Sequence, residues 1–194
     1  MILSPKTERP AQDLSDEKLI SLILENGEIN AFSHLYDRYK SRVYGRIVSL
    51  MGDNADSEDL LQEVFVKVYV SLKYFESKSS FSSWVYSITY NHLVDALRKR
   101  KRFLEDPDLD VEDKAIEETK DEEVLRIDSH DLIRLMDKLE EQDKLILLLK
   151  FREEQSIKDI MKTLNIKESA AKMRIKRAKN KLIQLYQTFS HEAE

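Results

Sequence analysis

The chain has no cysteine, so it can form no disulfide and offers no thiolate to a metal. Its histidines, His34, His92, His130 and His191, are not spaced with one another as a metal site requires, and no metal or other cofactor is expected. Glycine and proline number three each in 194 residues, which argues against a turn-rich β protein. No apolar run approaches the roughly 18 residues that span a bilayer. The first residues, MILSPKTERPAQDLSDE, have no apolar core of signal-peptide length. A soluble, cytoplasmic protein without membrane insertion is therefore expected. A Gly-rich phosphate loop and a nucleophile elbow are also lacking, so no enzyme is expected.

What is present is charge and helix formers. Charged residues make up 36% of the chain, well above the globular average of about 25%. Leu, Ile, Lys and Glu dominate, and the fold class read from them is all-α. The length suits one ordinary domain or two small ones. The net charge of −5 is unevenly placed: residues 105–123 hold eleven acidic and two basic residues, and without that stretch the chain carries +4. Anion-binding surfaces are thus hidden in the total.

Helix punctuation gives the organisation. Ser15 can cap a short helix that ends at Asn26-Gly27. Asn30 can cap a longer one ending before Gly52, and Asp56 or Ser57 can open a third with Leu61, Val64, Phe65, Val68 and Leu72 inward. FESKSS reads as a polar loop, and Ser80 can cap a fourth helix from Phe81 to about Arg102. The acidic stretch follows, with Pro107 and weak periodicity, and reads as a linker, partly helical near its end. Periodicity returns from about Val124. The expected domains are a tail (1–14), a four-helix domain (15–103), an acidic linker (104–123), a second helical domain (124–188) and a tail (189–194).

The second domain ends in SIKDIMKTLNIKESAAKMRIKRAKNKL. Ser156 with Asp159 forms a capping box, and Asn165 suits the left-handed turn that would stop the helix. A second helix begins near Lys167 or Glu168, with Ala171, Ile175, Ala178 and Leu182 inward. A small residue at the first inner position permits a close crossing, which is the helix-turn-helix pattern. Ser169, Lys172, Met173, Lys176 and Asn180 face outward, flanked by Arg174 and Arg177. Between Ala170 and Leu182 six basic residues stand without an acidic one, a face suited to the major groove and its phosphates.

Two further stretches, DSEDLLQEVFVKVYVSLKYF and FSSWVYSITYNHLVDALRKRKR, together with LEEQDKLILLLKF and the helix-turn-helix, resemble a bacterial RNA polymerase sigma factor of the extracytoplasmic-function (ECF) group. The resemblance runs from about Ala31 to Tyr186, except the linker. It implies that the first domain is sigma region 2 and the second sigma region 4. It implies core polymerase docking by Asp59, Gln62, Glu63 and Lys67. Lys78, Ser79 and Ser80 of the loop lie where the family melts promoter DNA, and there they could cup a flipped base. Asn91, Asp95 and Arg98 follow on the fourth helix, with Lys99 and Arg102 as phosphate contacts. Phe81, Trp84, Val85 and Ile88 share a helical side and are expected in the core, which leaves Tyr86 and Tyr90 as base-stacking surfaces.

Upstream-element contacts are implied for Lys167, Glu168, Ser169, Lys172, Met173, Arg174, Lys176 and Arg177. The chain departs from the family pattern at Lys167, where Pro is frequent, at Ser169, where Gly is common, and at Glu140, where Pro often follows Leu. The implied partners are core RNA polymerase, promoter DNA and an anti-sigma factor. The implied function is promoter recognition, DNA melting and transcription initiation. A helix-turn-helix regulator acting without being a polymerase subunit, and a helical interaction protein that never binds DNA, are the competing readings.

Overall fold

The computed structural model describes residues 14–52, 55–99 and 119–192. The described residues are helical throughout, joined by turns. The chain divides into two compact units that part inside one helix, after His92.

The first unit holds α1 (Asp16–Asn26), α2 (Ile29–Met51), α3 (Ala55–Ser71) and the start of α4 (Phe81–Lys99). The Ser15 hydroxyl accepts the Lys18 amide at 3.3 Å and starts α1. Gly27 closes it at φ 67°, a conformation open to Gly without strain, and its amide returns to the Ile23 carbonyl. Asp16 ties α1 to α2 by accepting from both Arg38 and the Tyr39 hydroxyl. Burial, and then this carboxylate, push the Tyr39 hydroxyl well above the ordinary tyrosine value.

Two expected helix starts move. Residue Glu28, not Asn30, precedes α2, and Asn30 lies within the helix. Ser57 is inside α3 rather than at its cap; it is buried and its hydroxyl donates to the Gly52 carbonyl at 2.6 Å. The inner stripe of α3 is Leu60, Val64, Phe65 and Val68, with Leu61 only half-buried. Edge-to-face aromatic pairs lock α2 to its neighbours: Phe32 with Tyr69 at 4.9 Å, Tyr36 with Phe65 at 4.6 Å and Tyr39 with Phe81 at 5.5 Å.

The second unit contains α5 (Asp121–Leu125), α6 (Ser129–Lys138), α7 (Glu141–Leu147), α8 (Ile157–Leu164) and α9 (Glu168–Glu192). Leu145, Ile146, Leu147, Leu148 and Leu149 are all buried. Five consecutive residues cannot share one face of an α-helix, so this segment is enclosed on several sides. A π-helical turn at Leu148–Arg152 widens the spiral there. Both halves of the expected helix-turn-helix form. Ser156 accepts the Asp159 amide at 3.2 Å, and Asn165 adopts φ 51°, ψ 52°. The stripe of Ala171, Ile175, Ala178 and Leu182 is buried, and the missing side-chain bulk at Ala171 lets α8 approach α9.

The expected linker is described only at its end. Asp121, Glu122 and Glu123 open α5, and Val124 is buried.

Candidate nucleic-acid interface

Helix α9 carries the face expected from the sequence to meet DNA. Its first turn is exposed at Lys167, Glu168 and Ser169. Glu168 and Lys172 pair at 2.6 Å one turn apart, and the hydrogen bond from Lys172 holds the Glu168 carboxyl below its ordinary value. Met173, Arg174, Lys176 and Arg177 are half-buried along the same helix.

Beside them lies a cavity of about 390 Å³ lined by Lys150, Lys172, Lys176, Lys179 and Ser169, over apolar Ile157, Met173 and Ile175. Four lysines line this recess, and the carboxylates of Glu168 and Asp121 offset part of their charge. Nothing in the sequence pattern marks Lys150 for this place. It comes from the π-helical turn, far from α9 in sequence, and only the fold brings it to the cavity.

The six cations between Ala170 and Leu182 are not equivalent. The Lys179 side chain is 7% exposed and donates to Asp121 at 2.8 Å. The other oxygen of Asp121 lies 4.0 Å from Lys150. Lys181 pairs with Asp143 at 2.5 Å and Glu140 at 3.7 Å. Burial pulls the Lys181 ammonium down, but these carboxylates outweigh it and leave it raised. The expectation that Asn180 faces outward is corrected. Asn180 is buried and accepts from the Thr119 hydroxyl at 2.6 Å, because the segment leading into α5 lies over that side of α9.

In the first unit the loop after α3 carries Lys78, paired with Glu76, and Ser77 at φ 55°, a strained value for a residue with a Cβ. Ser79 is exposed, and its hydroxyl lies 3.4 Å from the Ser80 carbonyl. Ser80 is the N-cap of α4: its hydroxyl accepts the Ser83 amide at 3.2 Å and contacts the hydroxyls of Ser82 and Ser83. Phe81 and Val85 are buried, while Trp84 and Ile88 are only half-buried.

Tyr86 is half-buried with the Arg46 guanidinium 3.4 Å from its ring centre, so one face already carries a cation. Tyr90 is a correction. Its side chain is fully buried and offers no stacking surface. The cause is that α4 is buried on two sides. Tyr90 lies about two and a half turns from Phe81, hence opposite to it, among the buried Leu93, Val94 and Leu97. Asn91, Asp95 and Lys99 are exposed. Arg98 sits 3.6 Å from Asp95. Arg102 lies outside the described residues.

On α3, Asp59, Gln62, Glu63 and Lys67 are all exposed. The same helix exposes Val66 (62%) and Val70 (61%), apolar residues that sequence periodicity did not single out. Asp59, Glu63, Val66 and Val70 follow at spacings of four, three and four, and so share one face. Two exposed valines beside charged groups are a surface that a partner can cover.

Among the described residues no helix is long and apolar enough to cross a membrane, and no group of three or more His, Asp or Glu residues could hold a metal ion.

Residues 35–103 match the family model for Sigma-70 region 2, and residues 129–182 that for Sigma-70 region 4. Among curated relatives, ECF RNA polymerase sigma factor SigX of Bacillus subtilis is 30% identical over 73% of this chain and 76% of its own length. RNA polymerase sigma factor SigZ of the same organism is 32% identical, over 81% and 88%. ECF sigma factor SigW, also from Bacillus subtilis, is 28% identical over 82% and 90%. The fold is shared with the sigma factor RpoE of Bartonella quintana, solved in complex with the anti-sigma factor NepR. That likeness has a TM-score of 0.54 at 22% identity, covering 82% of this chain and 98% of that one.

Proposed function

The chain belongs to the ECF sigma factors of RNA polymerase, and from that premise we propose how its residues divide the work of starting transcription. The protein is a regulatory subunit: it binds core RNA polymerase, directs it to promoters and supports initiation. Phosphodiester chemistry stays with the polymerase, and this chain contributes binding and strand separation without being an enzyme itself. It acts in the cytoplasm, where core polymerase and promoter DNA are.

We assign region 2 to 15–103 and region 4 to 124–188, with the acidic segment between them; the family matches at 35–103 and 129–182 support this division. The exposed face of α3, with Asp59, Gln62, Glu63, Lys67, Val66 and Val70, docks on core polymerase. The loop with Lys78, Ser79 and Ser80, followed by Asn91, Asp95, Arg98 and Lys99 on α4, handles the opened downstream element. Of the two tyrosines only Tyr86 keeps a stacking role, through the ring face that Arg46 does not cover. Ser80 contributes chiefly by fixing the start of α4, since its hydroxyl is committed to the cap.

The upstream element is read as duplex by the exposed start of α9, with Ser169, Lys172, Met173 and Arg174 nearest the base edges. Lys150 and Lys176 hold a backbone phosphate at the cavity. Such phosphate contacts set register, while base contacts set sequence. Relatives of this fold are solved with anti-sigma factors, and an anti-sigma factor that covers the DNA or polymerase surfaces is the expected regulator here too.

The observation that carries this reading is the presence, in one chain, of a helix-turn-helix bordered by a four-lysine cavity and of an α3 face with exposed valines. Run-off transcription from a genomic promoter library tests it. Promoter-specific transcripts are expected only when both core enzyme and this protein are present. Tight specific binding to duplex without polymerase, and no stimulation of core enzyme, would instead identify an independent regulator.

A further inference from the structure

We propose that His92 is a positioning residue for polymerase docking, acting by holding the Glu63 carboxylate in place. The inference rests on the reading of α3 as the docking face. Glu63 is 61% exposed at its side chain, as expected of a residue that meets a partner. Yet its carboxylate is already engaged, accepting from His92 Nε2 at 2.6 Å. His92 belongs to α4, and its side chain is 9% exposed. Its other ring nitrogen, Nδ1, is buried with no hydrogen-bond partner among the described residues. The ring therefore has one polar commitment, and that commitment is to Glu63.

An inward position on a helix, beside the fully buried Leu93 and Val94, would be served at least as well by an apolar side chain. A histidine there leaves one nitrogen unsatisfied. What it adds is a donor aimed at a carboxylate on the outer face of a different helix. A surface glutamate otherwise samples many rotamers and must be immobilised when a partner binds. Fixed in advance by a buried ring, Glu63 meets its partner with that ordering already done.

The test is a double-mutant cycle on the full chain, read as affinity for core polymerase. Thermal unfolding followed by Trp84 fluorescence reports the stability of the same unit. His92→Leu is expected to weaken core binding on the order of tenfold. His92→Gln, whose amide can donate to the same carboxylate, is expected to recover most of the loss. In a Glu63→Ala background, His92→Leu is expected to change core binding no further. If Glu63→Ala weakens core binding while His92→Leu does not, the positioning role is overturned and the docking face stands. If His92→Leu weakens binding equally with and without Glu63, alongside a lower melting point, His92 is merely structural and the proposal fails. If Glu63→Ala leaves core binding unchanged, the docking face itself is wrong at this residue, and the proposal falls with it.

Discussion

Replacing Asp121 by Ala removes the carboxylate that neutralises Lys179. The two partners are unequally exposed, 7% for the Lys179 side chain and 47% for Asp121. A fully buried pair broken on one side loses about 3–5 kcal/mol. A surface pair contributes about 0–1 kcal/mol. Here the cation is the buried member, so the orphaned charge stays in the protein, while the open side of Asp121 lets water reach the gap. A loss of about 1.5–3 kcal/mol follows, the range for a hydrogen bond to a charged group. Lys150, 4.0 Å from the same carboxylate, loses its counter-charge as well and adds to the penalty.

In a unit of this size each kcal/mol moves the melting point by roughly 4–8 °C, so a drop of about 10 °C is expected. The chain's one tryptophan, Trp84, lies in the first unit and serves as an internal control. Far-UV circular dichroism should show the second unit melting early while the Trp84 fluorescence midpoint holds. The pair Asp121→Leu with Lys179→Met, which removes both charges, should recover most of the stability. A drop below about 2 °C for Asp121→Ala would refute the argument, since it would place Lys179 in solvent. An equal shift in Trp84 fluorescence would refute the assignment of the effect to the second unit.

Two other predictions concern DNA. Lys150→Ala should weaken upstream-duplex binding about equally across sequences and reduce the slope of log affinity against log salt by about one. By contrast, Lys172→Ala with Arg174→Ala should lose about 1–3 kcal/mol selectively for the preferred sequence and leave core binding intact, as filter-binding titrations and a core pull-down would show. Ala171→Leu should destabilise the second unit by about 1–3 kcal/mol, because the helix crossing has no room for the added carbons, and should abolish upstream binding in the same titration.

Much of this architecture is legible in the sequence because it rests on local rules. Ser15, Ser80 and Ser156 cap helices by bonding their own neighbours, and Asn165 turns the chain with its own backbone. The α9 stripe follows from helical period alone. What fails is whatever depends on a second layer. A single inner stripe on α4 would leave Tyr90 outward, whereas α4 is buried on opposite sides along its length. Helical period alone turns Asn180 outward, because its cover, the segment from Thr119 into α5, sits in an acidic stretch that reads as solvated. Lys150 reaches the cavity through a π-helical turn that no periodicity marks. Val66 and Val70 stand out only once the opposite face of α3 is seen to be filled.

The internal pairing of α9 has a consequence for how the protein shares its time among DNA sites. Lys172, Lys179 and Lys181 each hold a carboxylate of the same chain. Each cation so engaged and lost to phosphate lowers the salt slope by about 0.9. The difference falls almost wholly on sequence-independent attraction, the part that would hold a lone sigma subunit on the vast excess of irrelevant duplex. A reading head whose cations are compensated from within leaves such sites quickly. It stays in the free pool until core enzyme supplies the second anchor, and occupancy of a promoter then depends on polymerase rather than on this chain's own grip.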